Sequence, residues 1–531
     1  MSRFDTDSPQ PARRRFLLKA SSTLAAGSLA GLSACGGGDD EAAGAGAAPL
    51  STAEQLALDA SGAVAAIRSG RLSAEAYVGT LLARAESLRE LNALISIDRD
   101  GALGAARRID QQRAAGQTLA PLAGLPLVVK DNINSAALPT TGGTPALRQL
   151  RPTSNAPSLQ KLLDAGAILL AKANMHELAF GITSTNLAAF AGPVKNPYDK
   201  SRIAGGSSGG TAAAIAARIS PAGLGTDTGG SARVPAALCG IVGLRPSVGN
   251  GGVQRRYTDT HAVIPISHTR DTVGTMGRSV ADVALLDAVI AGREPPAPIG
   301  LKGLRIGLPA AFWAELDAPV AAVMAAAKAK LSGAGVVFVE ADLPGVAALN
   351  AQLSFQIALH EPIDDIPAYL AANGAASLTL AQLAAQIASP DVKGAFGAIL
   401  GDVYGADYPA AIGTHRPRLQ ALYADYFVQH GLDAMLFPTT PLAAVAIDAV
   451  NGSSTVSLNG GPPLDEFGTY IRHTDAGSNA GIPGLSLPAG LTAAGLPVGL
   501  EIDGPLGSDG KLLGIGLAIE ALLGRLAAPA A

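Results

Sequence analysis

Between Arg202 and Arg245 the chain carries two glycine-bracketed serine clusters separated by an alanine-rich run, and few architectures accommodate that pattern. Gly205, Gly206, Gly209 and Gly210 enclose Ser207 and Ser208, and Gly229 and Gly230 precede Ser231. Glycine at this density admits backbone conformations closed to other residues and lets amide N–H groups converge on a ligand. A flexible Gly/Ser linker is disfavoured, because a helix of small residues and an apolar strand at Ala222 to Thr226 continue the chain. A phosphate loop needs Lys and then Ser or Thr after its last glycine, whereas Gly210 is followed by Thr211 and Ala212. This leaves two serines held in tight turns, with amide groups beside one of them. That suits acyl transfer, which needs a nucleophile and an oxyanion site.

A serine hydroxyl is a poor nucleophile without a base. His176 and His473 lie nearest to the candidate loops, but spacing gives no reason to pair either with Ser231. Lys130 ends the apolar run Leu125-Pro-Leu-Val-Val-Lys130, where desolvation would lower its pKa and leave a neutral amine. A lone lysine at a strand end can equally snorkel to the surface; the serine loops elsewhere in the chain favour the base. Cys239 sits in Ala-Leu-Cys239-Gly-Ile-Val, an apolar setting that reads as core. No HExxH and no cysteine cluster points to a metal, and a net charge of −4 gives no footprint for nucleic acid.

Strands and helices alternate along most of the chain. Leu94–Ile97, Leu125–Lys130, Ala167–Ala171, Ala222–Thr226 and Leu432–Pro438 read as strands, and Ser486–Gly490 and Leu496–Glu501 are expected to close the sheet. Ser51 and Ser73 read as caps of the first two helices. The pattern implies an α/β fold with a large, mixed, mostly parallel twisted sheet covered by helices on both faces. With 48% hydrophobic and 15% charged residues, the core should be large. Residues 51–531 read as one domain, with 295–430 a more helical, peripheral excursion.

The N-terminus reads as an address rather than as structure. Arg13-Arg14-Arg15-Phe16-Leu17 resembles a twin-arginine export motif, and Leu32-Ser33-Ala34-Cys35 resembles a lipobox. Residues 1–35 are then a signal peptide, acylated Cys35 becomes the mature N-terminus, and 36–50 form a flexible tether. Lys19 and the scattered Gly and Ser residues weaken a transmembrane reading. The expected location is the periplasmic side or the cell envelope, with membrane contact only through the lipid. Processing would leave Cys239 as the sole thiol and exclude an intramolecular disulfide. Cys35→Ser should move the protein from the detergent phase to the aqueous phase; unchanged partitioning would exclude the lipobox. One acyl chain holds a protein weakly, so multiple acylation is expected.

Leu127-Val-Val-Lys130-Asp-Asn, Gly205-Gly-Ser-Ser-Gly-Gly210 and Gly225-Thr-Asp-Thr-Gly-Gly-Ser231-Ala-Arg233 resemble the amidase signature family of serine hydrolases, as does the 24-residue offset between Ser207 and Ser231. The resemblance runs from about residue 52 to the C-terminus and fades between roughly 300 and 430. It implies Ser231 as nucleophile, Ser207 as a bridging serine after a cis peptide bond, and Lys130 as base. It further implies an oxyanion hole from the backbone N–H groups of Thr228, Gly229 and Gly230 with that of Ser231. Asp227 and Arg233 are expected to brace the loop as an ion pair, and Ser208 to act as a loop hydrogen-bonder. No cofactor is implied, only an amide substrate and water; a homodimer is left open. The segments Asn174–Asn186 and Ile264–Asp271 look most like indoleacetamide hydrolases and mandelamide amidases. That resemblance implies small arylacetamide-type amides, with Ala179 and Phe180 lining the acyl pocket, although Phe180 reads equally well as core. Anilides, carbamates and amidated peptides remain open as substrates. An amidotransferase subunit fits the export signal poorly, and an inactive binding lipoprotein fits the intact Lys130, Ser207 and Ser231 poorly.

Overall fold

The computed structural model describes residues 49–530. The arginine motif and Cys35 lie outside the described residues, as does nearly all of the tether. Ser51 opens the first helix, Thr52–Ala57, with the expected capping box: its N–H donates to the Glu54 carboxylate at 2.8 Å and its hydroxyl accepts the Glu54 N–H at 3.3 Å. The two bonds satisfy two of the helix's otherwise orphan donors. Ser73 caps Ala74–Ser87 through the Ala76 N–H at 3.0 Å.

An 11-stranded sheet carries the rest. Its strands are β1 (Leu94–Ile97), β2 (Pro126–Lys130), β3 (Ile168–Ala173), β4 (Ala222–Asp227), β5 (Val242–Arg245), β6 (Thr272–Gly277), β7 (Arg305–Gly307), β8 (Val337–Val339), β9 (Ala434–Pro438), β10 (Gly484–Leu491) and β11 (Pro497–Asp503). They lie side by side in the order β1-β3-β2-β4-β6-β5-β10-β11-β9-β7-β8. Two blocks are parallel, β3-β2-β4 and β9-β7-β8. The remaining ladders are antiparallel. The sheet is thus mixed, as expected, and its parallel character is confined to those blocks. β10 and β11 form a hairpin, a connection too short for a parallel crossover. They sit mid-sheet rather than closing it. One edge is β1 and the other β8, in which Val337 is exposed and Phe338 and Val339 half-buried, too little pattern to be recognised as a strand.

β2, β3, β4 and β6 are buried along their whole length. Runs such as Leu-Val-Val and Ile-Leu-Leu-Ala are what strands covered on both faces require. Against them packs the helix Gly209–Ala216, every residue of which is buried. It comes close enough that a Cβ at Gly210 would overlap the Asn174 carbonyl, so only glycine fits there.

The stretch 295–430 is not peripheral. It supplies β7 and β8, and its helices Pro362–Ala372 and Pro390–Leu400 share an apolar cluster with Leu147, Leu178 and Ile264. β2 and β4 run parallel and adjacent, with Val129 opposite Leu224, so Lys130 ends β2 level with Gly225, just before Thr226 and Asp227 end β4. Such carboxyl ends are where open α/β sheets place their ligand crevices.

Candidate active site

Lys130 is fully buried at the end of β2. Its Nζ lies 2.7 Å from Ser207 Oγ and 2.7 Å from Thr226 Oγ1. Asn132 Nδ2 donates to the same Thr226 hydroxyl at 3.1 Å. Burial lowers the Lys130 pKa to about 7; Asp227 and Asp271 pull it back up but are outweighed. The peptide bond between Gly206 and Ser207 is cis. Ser208 is a loop hydrogen-bonder, as expected. Its N–H donates to the Ser231 carbonyl at 3.2 Å, and its hydroxyl pairs with the N–H and carbonyl of Thr226, each at 3.2 Å. The two serine loops are therefore clasped to each other and to the end of β4.

Beneath Ser231 lies a buried ion cluster centred on Asp227. Its carboxylate accepts the Gly230 N–H at 3.0 Å and the Ala232 N–H at 3.1 Å, and pairs with Arg233 at 3.0 Å and Arg245 at 3.1 Å. Burial alone would raise the Asp227 pKa, but the two guanidinium groups outweigh it and hold the carboxyl well below its ordinary range. Arg233 reaches on to Glu501 and to Ser478 Oγ at 2.7 Å. Removing one member of such a pair strands a buried charge, at about 3–5 kcal/mol. Asp227 and Arg233 thus pair beneath the Ser231 turn. Arg245 and Glu501 complete the cluster, and no local signal marked either.

The amides expected to form an oxyanion site differ in their surroundings. The Gly230 N–H is already held by Asp227, whereas Thr228, Gly229 and Ser231 line the adjoining cavity. The turn is fixed from behind: the Thr228 carbonyl accepts Arg270 Nε at 3.3 Å, the Gly229 carbonyl accepts Thr474 Oγ1 at 2.6 Å, and the Thr228 hydroxyl donates to Asp271 at 2.6 Å. Because each peptide unit is planar and trans, a tethered carbonyl also aims the next N–H away from its tether. The Gly229 amide is thereby held opposite Arg270.

The cavity has a volume of about 450 Å³. Phe180, Ile266, Phe355, Leu359, Phe467 and Ile471 give it a mainly apolar wall, and Ala179 also lines it. Phe180 lines the cavity and also packs edge-to-face on Phe396 at 5.0 Å. Much of this wall comes from Ser354 to Tyr404, inside the helical stretch 295–430.

Neither histidine approaches Ser231 as a base would. His473 is buried with Nδ1 2.7 Å from the Pro438 carbonyl, and burial lowers its pKa to about 3. His176 is buried with Nε2 3.0 Å from Asp391. Cys239 is a core residue, its thiol pKa pushed up by burial.

The Amidase family model matches residues 76–513. An indoleacetamide hydrolase of Agrobacterium vitis is 46% identical over 447 residues, spanning 83% of this chain and 92% of the relative. A mandelamide hydrolase of Pseudomonas putida is 40% identical over 478 residues, spanning 87% and 91% respectively. Among solved structures, the native peptide amidase from Stenotrophomonas maltophilia superposes with a TM-score of 0.71 at 30% identity, covering 89% of this chain and 98% of that one. With a family match over most of its length and relatives at this identity, the chain belongs to the amidase family and is an amide-hydrolysing enzyme.

Proposed function

We propose that the protein hydrolyses small arylacetamide-type amides through an acyl-enzyme on Ser231, with Ser207 relaying protons between Ser231 and Lys130. The observation that carries this reading is the 2.7 Å contact between Lys130 Nζ and Ser207 Oγ, made by a lysine whose pKa is lowered to about 7. At neutral pH about half of such a side chain is the free amine, against roughly 1 in 2,500 for an unperturbed lysine. Neutral Lys130 takes the Ser207 proton as Ser207 takes that of Ser231, and Ser231 Oγ attacks the amide carbon. Negative charge develops on the carbonyl oxygen beside the Gly229 and Ser231 amides. The relay runs backwards to protonate the departing nitrogen, the C–N bond breaks, and ammonia or an amine leaves. Water, deprotonated through the same relay, then cleaves the ester and frees the acid.

The substrate class rests on the cavity. Its volume lies in the usual range for small-molecule sites, and its aromatic and aliphatic wall suits a flat acyl group. The relatives named for indoleacetamide and mandelamide agree with that choice. Export and lipid anchoring at Cys35 belong to the proposal and rest on the sequence alone.

The test is a panel of indole-3-acetamide, phenylacetamide, mandelamide, an anilide, an aryl carbamate and an amidated dipeptide. The arylacetamides should exceed the others in kcat/KM by about tenfold or more, the scale at which apolar pockets discriminate. A preference for the carbamate or the dipeptide would overturn the substrate assignment.

A further inference from the structure

His176 and Glu177 stand in a segment that the sequence marks out, yet the proton relay uses neither. The His176 N–H donates to the Ser207 carbonyl at 3.1 Å. Its ring Nδ1 accepts the Ser184 N–H at 3.2 Å. Ser184 in turn donates its hydroxyl to the Ser207 carbonyl at 3.3 Å and accepts the Gly209 N–H at 3.0 Å. A backbone amide can only donate, so Nδ1 is the acceptor and the ring proton sits on Nε2. Nε2 lies 3.0 Å from Asp391 Oδ2, a close polar contact whose angle is off that of a hydrogen bond. Gly181 packs directly against the ring, where a Cβ would overlap it.

Asp391 stands in the first turn of the helix Pro390–Leu400. Asp391, Gly394, Ala395 and Ala398 of that helix line the cavity, and its Phe396 backs Phe180. Glu177 grips the chain just before the helix, its carboxylate accepting the Ala388 N–H at 3.1 Å, the Ser389 N–H at 2.8 Å and the Thr144 hydroxyl at 2.9 Å. The Leu187 N–H donates to Ser389 Oγ at 3.1 Å. A segment that holds the Ser207 carbonyl thus also holds one wall of the cavity.

We propose that His176 is a positioning residue: with Glu177 it latches the cavity-wall helix Pro390–Leu400 to the Ser207 loop, and the His176–Asp391 contact sets how well a bulky acyl group fits beside Ser231. This rests on the reading that the cavity holds the acyl group. The residues that this helix turns to the cavity are small, so a shift of its backbone changes the width available to an aromatic ring.

Two esters test the latch whatever amide the enzyme prefers: p-nitrophenyl acetate, whose acyl group is too short to press on the wall, and p-nitrophenyl phenylacetate. His176→Asn keeps an acceptor for Ser184 but withdraws from Asp391, and Asp391→Ala removes the other partner. Both should raise KM for the phenylacetate ester about tenfold more than for the acetate ester, with kcat within about threefold, as loss of one polar contact predicts. His176→Gln, which carries an amide nitrogen to about the Nε2 position, and Asp391→Asn, which keeps an acceptor oxygen, should return the ratio to within about threefold of wild type. Equal losses on both esters, unchanged parameters, or no rescue by the conservative pair would overturn the latch. Failure of the arylacetamide assignment reads differently, as absent arylacetamide turnover with the ester contrast intact.

Discussion

Ser231→Ala should cut amide turnover by about 10⁴- to 10⁶-fold, the loss seen when the nucleophile is removed from a cooperating set. The residual rate comes from the oxyanion donors and substrate binding, which the substitution leaves in place. Turnover alone cannot name the atom acylated, so the second measurement is intact mass after exposure to a slow ester. Wild type should gain one acyl group and Ser231→Ala none. The competing nucleophile is Cys239, but its thiol is buried, its Sγ lies 3.2 Å from the Ala204 carbonyl, and burial keeps it protonated. An adduct mapped to Cys239 would overturn the assignment.

Lys130→Met should slow amide hydrolysis by about 10²- to 10⁴-fold, the usual worth of a positioned general base. In wild type the acylation rate should rise with pH to the lysine's pKa of about 7 and then level off, because only the neutral amine accepts a proton. The variant should lose that rise. Matched esters should suffer less than amides, since an alkoxide leaves without the proton that an amide nitrogen needs. Stability carries the same signature. Between about 7 and the ordinary lysine value of 10.5 the unfolded chain binds the extra proton, so this group's contribution to stability increases with pH across that window. Lys130→Met should flatten that slope as well. A variant with wild-type pH dependence and near-normal amide rates would remove Lys130 from the mechanism.

The sequence alone determined the fold class and the place of the candidate reacting groups, because both are encoded locally. An apolar run long enough for a doubly covered strand ends in Lys130, and glycines that permit tight turns bracket Ser207 and Ser231. Asp227 and Arg233 lie six positions apart around one turn, and their pairing was implied by the resemblance to amidase signature enzymes rather than by spacing. Tertiary structure decided what depends on distant chain segments. Glu501 reaches Arg233 across 268 positions, and Arg270 finds Asp475 across 205. Pairs so far apart leave no periodicity for a sequence to show. The same holds for Gly230, whose amide is claimed by Asp227, and for β10 and β11, which enter the middle of the sheet once folding brings β10 beside β5 and β11 beside β9. It holds most of all for the cavity wall between Ser354 and Tyr404, where small and apolar side chains acquire a role only by being latched over Ser231. Local turns and burial patterns are written along the chain; which buried charge meets which, and which helix lines the cavity beside Ser231, is settled by packing.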